Sequence, residues 1–325
     1  MSGIAKATPD PSNVRTPYGM LGMPRVAAHG ERLCVVMVSG GACCLDGADG
    51  PAIGMEEHMV KQQIRFTDGA AYERTTGKWS QLAGERFIEW LAPAAELSWL
   101  DVGCGSGVFS ELLFEHGAAR SVTGVDPAEE QLAYARSRLA GRRANFQTGD
   151  ATSLPFSEAS FDAGVMALVI FFVPDPLKAV AEMVRVVRPG GLVSAYAWDM
   201  MNGGFPFNAI QAQMREMGIP PTYPPSVEVS RIDALRRLWL AVGLGSVETN
   251  EYAVQRTYDD FEDLWSVSTL TASVAPKIKA MASADVQVLK ARMRESSPAD
   301  ASGRITCSAW VTAVKGRVAE HEIAA

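Results

Sequence analysis

The chain has 325 residues, of which 47% are hydrophobic and 21% are charged, and its formal net charge is −7. Such a composition can bury a substantial core, which excludes a globally disordered chain. The net negative charge argues against nucleic acid as the main partner, because phosphate contacts need clustered lysine and arginine.

The longest apolar run covers residues 163–173. It is shorter than the ~20 residues of a membrane-spanning helix, so it predicts a strand buried on both faces and no membrane span. The chain has five cysteines, an odd number, and they are scattered along the sequence. Its four histidines are isolated from one another. This pattern predicts neither a disulfide framework nor a metal site, and indicates a soluble, cytoplasmic protein.

Residues 1–54 differ from the rest of the chain. They hold nine glycines and show no sustained hydrophobic period. We interpret them as a poorly ordered N-terminal extension of a domain covering 55–325. Two alternatives stay open: a start codon placed too far upstream, and a genuine packed subdomain.

From residue 55 onward, helical and strand patterns alternate. A helix capped by Ser80 is predicted to run to about Leu91, and further helices are predicted to follow Gly107, Asp126 and Pro176. The predicted strands between and after them are 97–102, 121–125, 144–147, 161–172 and 192–198. Alternation of this kind predicts an α/β fold, with a parallel sheet covered by helices on both faces.

The rhythm changes after Trp198. Residues 200–230 are rich in proline and predict a lid or loop insertion. A helix is expected over 231–242, a strand over 243–252, two helical patterns within 258–296, and a last strand over 305–314.

The turn between the first strand and its helix reads Gly103-Cys104-Gly105-Ser106-Gly107. Glycines here let backbone N–H groups and the helix N-terminus approach a ligand closely. Val108 stands where a dinucleotide fingerprint requires glycine, so the pattern favours a ligand without a pyrophosphate.

Two acids follow the next two strands. Asp126 could accept hydrogen bonds from both ribose hydroxyls, and Asp150 from an adenine amino group. The alternatives are structural: Asp126 could cap the helix that begins with Pro127, and Asp150 could be an ordinary turn residue.

These blocks together resemble the class I S-adenosylmethionine-dependent methyltransferases, specifically the small-molecule group related to quinone-biosynthesis enzymes. The segments 71–74 and 78–80 are similar to that group's N-terminal helix. The resemblance covers about residues 70–200, and its ordered blocks are 100–107, 125–126, 149–156, 160–162 and 187–191.

The resemblance implies a doubly wound, Rossmann-like, seven-stranded and mostly parallel sheet with an antiparallel last strand. The strands 243–252 and 305–314 would form the terminal hairpin, with 253–304 inserted as part of an acceptor cap beside 200–230. It implies S-adenosylmethionine as cofactor. The cofactor-binding residues it implies are Asp101, Gly103, Cys104, Gly105, Gly107, Asp126, Asp150, Ala151, Leu168, Tyr72 and Trp79.

Several of these residues have structural alternatives. Cys104 fits a small filler better than a nucleophile, and Tyr72 and Trp79 could be core aromatics. The predicted reaction is in-line methyl transfer to a small, apolar acceptor, with no catalytic side chain, metal or oligomeric state assigned. Alternatives are a catalytically silent cofactor-binding partner and a nicotinamide-dependent oxidoreductase. Methylation of nucleic acid is not expected, because no Asn-Pro-Pro-Tyr motif follows the fourth strand.

Overall fold

A computed structural model of the chain describes residues 73–320. The interpretation of 1–54 as an extension, and the assignment of Tyr72, lie outside the described residues. In the described part, one sheet of seven strands has the order β3-β2-β1-β4-β5-β7-β6. Its strands are β1 Ser98–Val102, β2 Ser121–Asp126, β3 Ala144–Thr148, β4 Phe161–Ala167, β5 Val187–Trp198, β6 Gly245–Tyr258 and β7 Ile305–Arg317.

Helices precede and connect these strands. A single π-helical turn, Glu73–Gly77, leads directly into the first α-helix. The α-helices are α1 Lys78–Leu91, α2 Val108–Glu115, α3 Glu129–Arg138, α4 Pro176–Val186, α5 Asn208–Glu216, α6 Ile232–Ala241, α7 Phe261–Thr269, α8 Ala275–Ala280 and α9 Ser283–Glu295. No helix in residues 73–320 is both long and apolar enough to cross a membrane.

The first five strands are parallel, and β1 lies between β2 and β4. In this register Asp101 pairs with Gly124 on one side and with Val165 on the other. Helices cover the sheet, so β1 and β4 are buried along most of their length. This arrangement confirms the predicted mostly parallel α/β sheet and brings the carboxyl ends of β1, β2 and β3 to one edge.

The edge formed by β7 and β6 is antiparallel, since β7 pairs antiparallel with both β5 and β6. The strand β6 continues to Tyr258, six residues beyond the predicted end at 252. The insertion between these strands therefore begins at 259 rather than 253, and it holds three helices instead of two. The cross-strand pairs from Tyr252↔Val311 to Tyr258↔Ile305 explain the longer strand.

Two further boundaries differ from the predictions. Ser80 lies inside α1 and does not cap it, because the π-helical turn starts the helix two residues earlier. The apolar run predicted as one strand over 161–172 ends its strand at Ala167. Leu168 then adopts a left-handed backbone with φ 61°, its N–H bonds the carbonyl of Tyr196 at 2.9 Å, and a 3₁₀ turn follows over Ile170–Phe172.

Candidate cofactor site

The glycine turn is fastened to the end of β2. The backbone N–H groups of Gly103 and Cys104 both donate to the carbonyl oxygen of Val125, at 2.6 and 3.1 Å. The N–H of Gly107 closes the turn on the carbonyl oxygen of Cys104 at 2.9 Å. The start of α2 is thereby held at the carboxyl edge of the sheet, where ligands bind in open α/β folds.

The three glycines of this turn have positive φ angles of 74°, 51° and 80°, but different surroundings. A Cβ on Gly103 would lie 2.4 Å from Cγ1 of Val169, and one on Gly107 would lie 3.0 Å from Cβ of Ala135. A Cβ on Gly105 would meet nothing within 4 Å. Gly103 and Gly107 therefore allow close packing, whereas Gly105 presents bare backbone to open space.

Asp126, the last residue of β2, has its carboxylate bonded to the glycine turn. Its Oδ2 accepts from the N–H of Gly105 at 3.0 Å, and its Oδ1 accepts from the N–H of Ala128 at 2.9 Å. The helix α3 begins at Glu129 with Ala128 at the capping position, so the alternative of Asp126 as the helix cap is wrong. Burial raises the pKa of Asp126. Each oxygen keeps a lone pair that could accept a ligand hydroxyl.

Asp101, on β1 two residues before the glycine turn, is completely buried. Its Oδ2 accepts from the hydroxyl of Ser110 at 2.7 Å, while its Oδ1 has no hydrogen-bond partner within residues 73–320. Burial raises its pKa to about 7, and the negative charge of Asp126 adds to this shift. An unpaired buried carboxylate oxygen is costly, so the site favours a ligand group that donates or is positively charged.

Asp150 sits in an exposed turn after β3. Its Oδ1 accepts from both the N–H and the hydroxyl of Thr152, at 2.7 and 2.9 Å, and these bonds lower its pKa. The turn role considered for Asp150 is therefore present. The neighbouring Ala151 is half-buried. Contact of either residue with an adenine remains a prediction.

The side chain of Cys104 points into a small apolar cluster and is 7% exposed. Leu132, Ala135 and Phe146 belong to the same cluster. Burial, followed by the charges of Asp101 and Asp126, raises the pKa of the thiol well above its usual value. A buried, protonated thiol is a poor nucleophile, in agreement with a small filler residue.

Trp79 and Leu168 belong to the main hydrophobic core. Trp79 is fully buried, packs edge-on against Trp198 with ring centroids 6.4 Å apart, and donates its Nε1–H to the hydroxyl of Tyr258 at 3.1 Å. The structure thus shows Trp79 in the core position considered as its alternative. Leu168 lies just beyond β4 and is 9% exposed. Cofactor contact by these two residues stays a prediction.

The sequence analysis missed Ser110. This serine is the hydrogen-bond partner of Asp101, yet in the sequence it is one polar residue on the buried face of a helix, beside Phe109 and Leu112. Only its spacing of nine residues from Asp101, across a tight strand-to-helix turn, could have indicated the contact.

The residues at this edge fit a nucleoside with a positively charged tail. Asp126 offers acceptors for ribose hydroxyls, Gly105 offers open backbone, and Asp101 offers an unpaired oxygen for a cationic group. No cluster of three or more metal-ligating side chains occurs in the part of the chain that the structure describes.

Part of the chain is similar to known proteins. Residues 100–195 match the family described as "Methyltransferase domain". The chain is similar to a malonyl-[acyl-carrier protein] O-methyltransferase of Pectobacterium atrosepticum, with 32% identity over 164 residues, 46% of this chain and 63% of the relative. It is also similar to a demethylmenaquinone methyltransferase of Clavibacter sepedonicus, with 37% identity over 129 residues, 38% of this chain and 52% of the relative.

The chain therefore spans between about half and just under two thirds of these two curated relatives. The crystal structure of the YcgJ protein from Bacillus subtilis shares the fold, with 18% identity, a TM-score of 0.50, and coverage of 75% of this chain and 99% of that one. Residues 100–195 therefore carry a methyltransferase domain, and the sheet order agrees with the Rossmann-like fold that the resemblance implies.

Proposed function

We propose that this protein transfers a methyl group from S-adenosylmethionine to a small, apolar organic acceptor. One observation carries the proposal: the carboxylate of Asp126 is held by the N–H of Gly105, at the point where the glycine turn opens to free space. That arrangement gives a nucleoside two acceptor oxygens beside exposed backbone, at the carboxyl edge of a parallel sheet.

The residues present suit the cofactor at both of its ends. Asp126 would hold the ribose, the turn that contains Asp150 and Ala151 would lie along the adenine edge, and Asp101 would face the amino acid end. When bound, the sulfonium supplies a methyl group that is already activated for displacement. The protein therefore needs no covalent nucleophile, and the buried Cys104 is not required as one.

The chain's own contribution is to orient the methyl donor and the acceptor and to exclude water from the site. Holding the methyl donor and the acceptor in line can lower the activation free energy by roughly 7–11 kcal/mol. The rigid attachment of the glycine turn to Val125 supports such positioning, because both N–H groups of Gly103 and Cys104 are already committed to it. Exclusion of water would strengthen the electrostatic contacts that remain.

The acceptor class is inferred from two sources. The relatives are named for a malonyl group on a carrier protein and for demethylmenaquinone, both of which are organic acceptors rather than nucleic acids. The segments 200–230 and 259–304 contribute partly buried apolar side chains packed on the core, among them Met200, Phe205, Met217 and Trp265. A cap built from segments of this composition would suit an apolar acceptor.

The proposal is tested with a methyl-labelled donor and a metabolite extract, comparing the wild-type protein with Asp126→Ala. The expected result is a labelled organic product that appears only with the wild type. Tight binding of S-adenosylhomocysteine without labelled product from any acceptor pool would favour a catalytically silent binding partner. Binding of NADH in its place would favour an oxidoreductase, and either outcome would overturn the proposal.

A further inference from the structure

The loop from Gly149 to Phe156 follows β3 and leads to β4. It carries the predicted adenine contacts. Its first half is ordered by bonds of its own, since the N–H of Ser153 donates to the carbonyl of Asp150 at 3.0 Å and Thr152 bonds Asp150 Oδ1. Its second half is ordered differently, by two side chains from another element.

Those two side chains are Glu182 and Arg185, three residues apart on α4. Glu182 Oε2 accepts from the N–H of Leu154 at 2.8 Å. Arg185 donates from Nη2 to the carbonyl of Leu154 at 2.9 Å and from Nη1 to the carbonyl of Phe156 at 2.7 Å. One ion pair thus satisfies three backbone groups within three residues of the loop.

The two side chains also fix each other. Nε of Arg185 donates to Oε1 of Glu182 at 2.8 Å, and Nη2 of Arg185 donates to Oε2 at 2.7 Å. The side chain of Arg185 is 31% exposed and that of Glu182 is 20% exposed, so the pair is partly shielded from solvent. The planar guanidinium matches both the carboxylate and the two carbonyls, a geometry that lysine cannot reproduce.

The second half of the loop is joined directly to the first, because Leu154 follows Ser153, whose N–H bonds the carbonyl of Asp150. Gly149 is packed so closely that a Cβ there would lie 2.6 Å from Cγ1 of Val125 and 3.4 Å from Cδ of Pro155. Pro155 lies between the two carbonyls that Arg185 binds. A shift of residues 154–156 would therefore move Ser153 and, through its bond to the carbonyl of Asp150, the turn that carries the Asp150 carboxylate.

We propose that Glu182 and Arg185 are positioning residues for base recognition: they hold the loop so that Asp150 can accept a hydrogen bond from the adenine amino group. This inference rests on the proposed function, since it requires an adenosyl ligand at this edge. It assigns to two side chains of α4 control over which base the site prefers.

The test compares S-adenosylhomocysteine with S-inosylhomocysteine, in which a carbonyl replaces the amino group of the base. The carboxylate of Asp150 would favour S-adenosylhomocysteine by about tenfold or more. In S-inosylhomocysteine the carbonyl oxygen of the base would face this carboxylate, so two acceptors would meet without a donor between them. Titration calorimetry on the full chain gives both dissociation constants. The variants are Arg185→Met, Arg185→Lys and Glu182→Gln. The control is Arg86→Met, which breaks an exposed pair with Glu89 at the same i,i+3 spacing on α1.

We expect the preference for the adenosyl ligand to shrink to within about threefold in Arg185→Met and Glu182→Gln, to be intermediate in Arg185→Lys, and to be unchanged in Arg86→Met. A purely structural pair would lower the melting temperature and leave the preference intact. If Arg185→Met does not fold, Arg185→Lys and Glu182→Gln carry the comparison. If the wild type binds both ligands and the variants keep its preference for the adenosyl ligand, this inference alone is overturned. A wild type that binds neither ligand would overturn the proposed function as well.

Discussion

The hydroxyl of Ser110 donates a 2.7 Å hydrogen bond to Oδ2 of Asp101, and neither side chain is exposed to solvent. This contact joins the first helix after the glycine turn to the central strand, directly beneath the site. The bond favours the ionised form of Asp101, whose pKa burial raises to about 7.

Asp101 should make stability depend on pH. The unfolded chain ionises this carboxyl above its ordinary pKa of 3.8, whereas the folded chain retains the proton until about 7. The free energy of unfolding should therefore fall as pH rises between these values, by up to about 1.4 kcal/mol per pH unit, and level off above them. Denaturant titrations at pH 5 and pH 8 measure the difference, which should be smaller in Asp101→Asn than in the wild type.

Two further variants make that measurement specific. Ser110→Ala removes the bond that favours the carboxylate, so the fall in stability should extend above pH 7. Ser283→Ala changes an exposed, uncharged side chain at the start of α9 and should leave the wild-type pH dependence unaltered. Equal pH dependence in the wild type and Asp101→Asn would contradict the assignment.

Asp126 should affect ligand binding as well as stability, and the two losses can be measured separately. Asp126→Ala frees the N–H groups of Gly105 and Ala128, which should cost about 1–3 kcal/mol of stability. In the proposed site this substitution also removes both acceptors for the ribose, so the affinity for S-adenosylhomocysteine should fall by about tenfold to a hundredfold. Calorimetry and thermal melting of the same samples separate the two effects.

Asp175→Ala provides the matched control, since Asp175 caps α4 through a 3.0 Å bond from the N–H of Lys178. It should lose ~1 kcal/mol of stability and keep wild-type affinity. If Asp126→Ala behaved in the same way, the bond to the glycine turn would be structural only.

Gly105 should be intolerant of a side chain because of the ligand and not because of the fold. Its φ of 51° makes alanine strained by about 1 kcal/mol, but a Cβ there meets no protein atom within 4 Å. Gly141, between α3 and β3, has a φ of 83° and is equally open. We expect Gly105→Ala and Gly141→Ala to melt at similar temperatures, with affinity for S-adenosylhomocysteine lost only in Gly105→Ala. Equal affinities would show that the open space beside Gly105 is not used by the ligand.

The features that were predictable from the sequence are those set by local pattern. The glycine turn, the acid that ends β2 and the alternation of helices with strands depend on neighbouring residues, and the structure contains all of them. The end of β4 at Ala167 was not predictable in this way. An uninterrupted apolar run contains no periodicity, and the turn at Leu168 depends on a bond to Tyr196 on the adjacent strand.

The contacts that hold the site in place were the least predictable. Ser110 meets Asp101 across a strand-to-helix turn, and Glu182 reaches Leu154 over 28 residues of sequence. Serine, aspartate, glutamate and leucine are common residue types, and no sequence motif marks these two contacts. Their roles become visible only when tertiary packing brings two elements together.

Cys104 should be inert in the folded protein although it lies within the glycine turn. Its thiol is 7% exposed and burial raises its pKa, so alkylation by iodoacetamide should occur only when the chain unfolds. Peptide mass spectrometry follows Cys104 separately from the other cysteines, with urea-unfolded protein as the reference for full labelling. Cys104→Ala should lose ~1 kcal/mol of stability from reduced packing against Phe146 and keep its affinity for S-adenosylhomocysteine. Rapid labelling of the folded protein, or loss of affinity in this variant, would show that the sulfur itself faces the ligand.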